Sequence, residues 1–126
     1  MQGIDTRCKR EQVFDDDIPK ANLWRVTSTV PLTDKWQNIR KVVVTTHWTY
    51  RLCEEAGGWY FPEGVLVTKA VCFDAGDAAG RLLYHWWTRP TNASRLTKKA
   101  IIQQHEKTLA NEMEILITRA EKLPIL

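Results

Sequence analysis

The chain has little cysteine and no residue spacing that is typical of a metal site. Its three cysteines, Cys8, Cys53 and Cys72, are an odd number with no close pair among them. This usage predicts free thiols in a reducing compartment, and we therefore expect a cytoplasmic protein. No CxxC, HExxH or HxH pattern occurs, and there is neither a glycine-rich phosphate loop nor a G-x-S-x-G motif. We expect no metal and no other cofactor.

Long apolar runs are also missing, so no segment approaches the roughly 20 residues that cross a bilayer. The N-terminus has no apolar core of the kind that signal peptides carry, and we expect no membrane association. Candidates for catalysis are limited to Asp74 and Asp77, and to cysteine–histidine pairs that could meet only in space. The spacing of the two acids is also typical of a helix cap, which is the interpretation we favour. The sequence therefore predicts a protein that is not an enzyme.

Length and composition indicate one folded domain. The chain has 126 residues, of which 44% are hydrophobic and 26% charged, and this balance is typical of globular proteins. Residues 1–20 contain few apolar anchors and are predicted to form a flexible N-terminal arm, followed by a single α+β domain over 21–126. The net charge of +3 is only mildly basic, so a nucleic-acid role would depend on local clustering.

Alternating hydrophobicity predicts two strands, over residues 23–32 and 41–52, and a run over residues 65–73 that is apolar on both faces, apart from Thr68 and Lys69, predicts a third. A helix over residues 34–55 is the alternative for the central segment. Its run of β-branched residues favours the strand, because branched side chains lose rotamer freedom in a helix.

The pattern then changes to helical spacing. Residues 74–87 are predicted to form one helix, which ends before Pro90. A last helix over residues 95–122 would be about 42 Å long and would stop at Pro124. The predicted fold is therefore α+β, a three-stranded antiparallel meander followed by two helices (β-β-β-α-α), the last of them long.

The most informative feature is the stretch 78–105, which contains no acidic residue but carries several cations and aromatic rings. Cations attract phosphates and rings stack on bases, so this stretch predicts a nucleic-acid surface. The residues assigned to this surface are Arg81, His85, Trp87, Arg89, Arg95, Lys98 and Lys99. The alternative is that the rings pack in the core and the cations are simply solvated. We predict a small binding protein whose partner is nucleic acid or a nucleic-acid-bound protein.

The polar face of the predicted sheet is a second candidate for the same role. Its members are Arg25, Thr27, Thr29, Lys41, Thr45, His47, Thr49 and Arg51. Sheets that bind single strands normally expose aromatic rings on such a face. Trp48 and Tyr50 fall on the opposite face of the predicted strand, so a threonine-rich solvent face is the alternative.

The last helix carries two adjacent apolar rows, which suffice for a core contact plus a partner helix. The residues assigned to a dimer interface are Leu109, Met113, Leu116 and Ala120. Packing of these side chains in the core of their own domain is the alternative. A protein-interaction module, an inhibitor or adaptor that homodimerises through this helix, is thus the second functional hypothesis.

Overall fold

The computed structural model describes residues 4–12, 22–32, 39–49, 52–53, 59–60, 65–88 and 98–125. These residues form seven strands and one helix. The elements are β1 (Asp5–Gln12), β2 (Asn22–Leu32), β3 (Arg40–Thr49), β4 (Leu52–Cys53), β5 (Trp59–Tyr60), β6 (Val65–Asp74), β7 (Arg81–Thr88) and α1 (Lys98–Lys122).

Five of the strands form an antiparallel sheet in the order β1-β2-β3-β6-β7, so each strand pairs with the next one of the sheet along the chain. The short strands β4 and β5, which come between β3 and β6 in the sequence, pair with each other as a separate two-stranded sheet. The helix α1 packs across one face of the large sheet, mainly over β2 and β3.

The core lies between this face and α1. Because side chains alternate along a strand, β2 and β3 bury every second residue under the helix. The buried side chains of these two strands are Val26, Ser28, Val30, Leu32, Arg40, Val42, Val44 and Thr46. From α1, Met113, Leu116 and Ala120 complete the larger apolar cluster.

The three predicted strands and the last helix are present, but the predicted fold class was wrong. The sheet has five strands instead of three, and one helix follows it instead of two. The prediction failed in two places, at the segment 74–87 and in the N-terminal arm.

Residues 74–87 form a turn and the strand β7 instead of a helix. Gly76 and Gly80 both adopt positive φ, 77° and 73°, a conformation that interrupts a helix. The ring-rich segment that follows suits a pleated surface. Its apolar residues imitate helical spacing because β7 carries them on both faces, with Leu82 opposite Val71 and Tyr84 opposite Ala70.

The predicted N-terminal arm contains β1, which pairs with β2 from Asp5 opposite Thr29 to Gln12 opposite Asn22. This strand lies at an edge of the sheet, and most of its residues are charged. Apolar alternation is therefore almost absent from β1, and the hydrophobic pattern did not reveal it. The remainder of the predicted arm, residues 13–20, lies outside the described part.

Candidate functional site

The face of the five-stranded sheet that points away from α1 is called the open face here. Its members alternate with buried residues; on β1, for example, Cys8 packs towards α1 and its neighbours Arg7 and Lys9 are exposed. The polar and charged residues of the open face are Asp5, Arg7, Lys9, Glu11, Arg25, Thr27, Thr29, Lys41, Thr45, His47, Lys69 and His85.

Strand register aligns five of these side chains in one row across the sheet. The row consists of Arg7, Thr27, Thr45, Lys69 and His85, one residue from each strand. With strands about 4.8 Å apart, the row is about 19 Å wide. Three exposed basic side chains thus flank two threonine hydroxyls in this row.

Charge on the open face is predominantly positive. By strand register, five cations, from Arg7 to Lys69, share this face with two acids of β1, Asp5 and Glu11. Asp5 pairs with Arg7 at 3.2 Å. Lys9 lies directly opposite Arg25 in the register, an arrangement that disfavours the sheet because like charges meet. Since the whole chain carries only +3, positive charge is concentrated on this face.

One end of the open face is closely packed. The ammonium of Lys41 lies 5.7 Å from the centre of the Phe73 ring, a cation–π contact. Phe73 and Val71 cover Gly80, where an added Cβ would lie 2.3 Å from Val71 Cγ1 and 2.8 Å from Phe73 Cε1. The turn before β7 therefore requires glycine for space as well as for its positive φ.

The structure does not bring the described residues of the predicted 81–99 patch to one surface. Arg81 points to the helix side and donates to Asp74 Oδ2 at 2.8 Å, whereas His85 lies exposed on the open face. The ammonium of Lys98 lies 5.1 Å from the Trp24 ring on the helix side, and Lys99 is exposed at the start of α1.

Three further members of that patch cannot be placed in the same way. Trp87 pairs with Val67 in the register of β7, but its side chain lies outside the described part. Arg89 and Arg95 also lie outside it. Sequence reasoning did not assign Arg7, Lys9 and Lys69 to a site, and the nearly absent apolar alternation of β1 gave no signal for the first two.

The residues assigned to a dimer interface pack within their own chain. Met113, Leu116 and Ala120 are buried in the core, and Leu109 packs against the same cluster. The three buried side chains could contact a second copy only if α1 left the sheet, whereas Leu109 is half-buried.

A buried polar network lies at the centre of the helix–sheet contact. The ring of His105 contacts the Ser28 hydroxyl through Nε2 at 2.7 Å and the Thr46 hydroxyl through Nδ1 at 2.8 Å. Ser28 also contacts Thr6 at 2.7 Å. Burial lowers the pKa of His105 to about 4, so the ring is neutral at pH 7. Ser28 and His105 are both 0% exposed, so this serine–histidine contact offers no access to a substrate.

Arg40 binds the C-terminal end of α1. Its guanidinium donates to both carboxylate oxygens of Asp74 and to the backbone carbonyls of Ala120, Leu123 and Pro124. The last carbonyls of a helix have no partners within the helix, and Arg40 provides donors for them. The hydrogen bond with Asp74 raises the pKa of Arg40.

The two acids predicted as helix caps have other roles. Asp74 accepts from Arg40 and Arg81, and it is 7% exposed. Asp77 Oδ1 accepts from the backbone N–H groups of Ala79 and Gly80 at 3.1 and 3.0 Å, and so stabilises the turn before β7.

Among the residues that the structure describes, no group of three histidine, cysteine or acidic side chains is arranged for a metal ion. Cys8 and Cys72 are free thiols, as predicted, and burial raises the pKa of Cys72. No helix among the described residues has the length and apolarity that a membrane span requires. Comparison with protein-family models, with curated proteins and with solved structures gives no match for this chain.

Proposed function

We propose that this protein binds nucleic acid through the open face of its sheet. The observation that carries the proposal is the excess of positive charge on this face, where four strands that lie side by side contribute five cations and β1 contributes two acids. Phosphate groups are the abundant anions that such a surface attracts, and ion release makes the attraction favourable at low salt.

The chemistry of the face favours contacts with the backbone of the nucleic acid. Thr27 and Thr45 offer hydroxyl donors between the cations, and such groups bind phosphate oxygens without reading bases. Among the residues whose side chains are described, Phe73 is the one phenyl or indole ring of this face, and Lys41 lies over it. Trp87 occupies a further position of this face in the register of β7. Because the described cations and hydroxyl groups suit phosphate oxygens and not base edges, we expect weak sequence preference.

Fluorescence anisotropy with labelled duplex and single-stranded DNA and RNA of equal length tests the proposal. If the protein contacts four or five phosphates, affinity falls by about two orders of magnitude between about 50 and 200 mM salt. Absence of binding at the lower salt concentration would refute the proposal.

Two double variants with the same change in net charge locate the site. Lys41→Glu/Lys69→Glu alters the open face, whereas Lys98→Glu/Lys99→Glu alters the start of α1, and all four side chains are exposed. We expect the first pair to weaken binding more than about tenfold and to reduce the salt slope by about 2, because two phosphate contacts are lost. The second pair should leave binding nearly unchanged. Equal losses would indicate attraction by net charge alone, and a loss confined to the second pair would assign binding to the 81–99 patch.

A further inference from the structure

The strand β7 forms an unprotected edge of the large sheet. One side of β7 pairs with β6, and among the described residues no strand pairs with its other side. Proteins normally protect such edges with charge or proline, because unpaired backbone groups attract another strand. The opposite edge is protected in this way, since five of the eight residues of β1 are charged. After Arg81, β7 contains no lysine, acid or proline.

Apolar side chains are concentrated around the same edge. Leu82, Trp86 and Ile115 are 58%, 47% and 47% exposed, and they are three of the five exposed large hydrophobic residues of the described part. Leu82 and Trp86 belong to opposite faces of β7, since their register partners Val71 and Thr68 do. The edge is therefore apolar on both sides of the sheet.

The helix flanks this edge on one side. Arg119 donates to the backbone carbonyl of Leu83 at 3.2 Å, so the C-terminal half of α1 lies beside β7. Ile115 is one helical turn before Arg119 and three residues after Glu112, which places it on the same helix face. The carbonyl of Leu83 already accepts a hydrogen bond from Arg119. Residues 84–88 are therefore the part of the edge whose backbone groups could pair with another strand.

A groove of about 220 Å³ separates β7 from α1. Tyr84 and Trp86 form its aromatic side, and Lys107, Asn111 and Glu112 form its polar side. One cation and one acid leave this surface without net charge. Two copies of this surface therefore do not repel each other, whereas two copies of the cationic open face would.

We propose that a second copy of this chain pairs with the edge, its β7 running antiparallel to the first across a two-fold axis. Antiparallel pairing of identical strands matches backbone donors with acceptors on both sides, and it forms the closed, isologous interface that most homodimers use. The two sheets become one sheet of ten strands. The contact uses backbone groups of β7 and none of the open-face cations, so the dimer does not depend on nucleic-acid binding.

Sedimentation equilibrium from low micromolar to about 100 μM tests the proposal, because a small interface of this kind predicts roughly micromolar affinity. We expect the wild-type mass to approach twice the 14.6 kDa of one chain. Trp86→Lys and Ile115→Glu should each weaken the dimer more than about tenfold, since a desolvated charge opposes pairing. Ile39→Glu is the matched control, because Ile39 is 45% exposed at the start of β3, away from this edge.

Hydrogen exchange of the β7 amides gives a second measurement that needs no variant. Their protection should increase with the concentration of wild-type protein. A monomer at about 100 μM overturns the proposal, and so does a dimer that resists both edge variants or is lost in Ile39→Glu. Dimerisation without added protection of β7 also overturns it. A monomer whose edge takes up a synthetic peptide of residues 81–88 would assign the edge to a foreign strand instead.

Discussion

Lowering the pH from 7 to 4 is expected to destabilise this protein through His105. The imidazole is fully buried, and both of its nitrogens contact hydroxyl groups of the sheet, Ser28 and Thr46. Its pKa is about 4 in the folded chain, whereas the ordinary value is 6.5. Removal from water is the cause, because a charged ring in the core would lose its hydration.

The sign and size of the effect follow from this difference in pKa. Below pH 6.5 the unfolded chain takes up a proton that the folded chain refuses until about pH 4. The unfolded state thus binds more protons in this window, and the free energy of unfolding falls as the pH falls. One pKa unit corresponds to about 1.4 kcal/mol, so the loss reaches about 3 kcal/mol at pH 4 and levels off below it. Domains of this size are stable by about 5–15 kcal/mol in total.

Urea unfolding followed by tryptophan fluorescence measures the effect between about pH 7 and pH 4. The variant His105→Gln is the reference, because an amide keeps a donor and an acceptor at this position but does not titrate. All other side chains are identical in the two proteins, so their contributions cancel in the comparison. We expect the stability advantage of the wild type over the variant to shrink by about 3 kcal/mol across this range.

A wild-type advantage that stays constant with pH would refute the reasoning, since it would mean that His105 titrates alike in both states. If the stability advantage of the wild type increased on acidification, the folded protein would stabilise the protonated ring of His105, and its pKa would be raised instead of lowered. Direct titration of the His105 nitrogens by NMR separates these cases, because the folded-state pKa should lie near 4.

Two further predictions concern stability. Arg40→Met removes the guanidinium donors from the buried Asp74 and from the carbonyls at the end of α1; it should lower the free energy of unfolding, measured in urea, by about 3–5 kcal/mol, and a loss below about 1 kcal/mol would contradict this role. Gly80→Ala should lower the free energy of unfolding by about 1–3 kcal/mol more than Gly76→Ala, because both residues have positive φ but only the methyl group at position 80 meets other side chains. Equal thermal shifts for the two alanine variants would argue against the close packing over Gly80.

Part of the fold could be predicted because β2 and β3 alternate between the two faces, and because β6 is an apolar run of the length of a strand. In a half-buried strand one face is apolar and the other polar, so neighbouring residues alternate in hydrophobicity. This alternation is visible within a short stretch of sequence. The strand β7 could not be recognised from its period, since it lies at an edge and is apolar on both faces. The glycines at positions 76 and 80 were a signal against the predicted helix, because both occur where the chain needs positive φ.

The candidate site was less predictable than the fold. The acid-free stretch 78–105 suggested one patch, but formation of β7 places His85 on the open face and Arg81 on the helix side. Successive side chains of a strand point to opposite faces of the sheet. Residues that are neighbours in the sequence of β7 therefore lie on different surfaces. The open face instead combines cations from several strands, one of which was not predicted to exist.

By itself, the sequence determined the three central strands, the last helix and the side of each strand that is buried, because these depend on patterns within about ten residues. Tertiary structure alone decided which cations share a face and which polar groups meet in the core. His105 contacts Ser28 and Thr46 across 77 and 59 residues of chain. Such contacts depend on strand register and on how α1 lies across the sheet, which are set by long-range packing and leave no local period in the sequence.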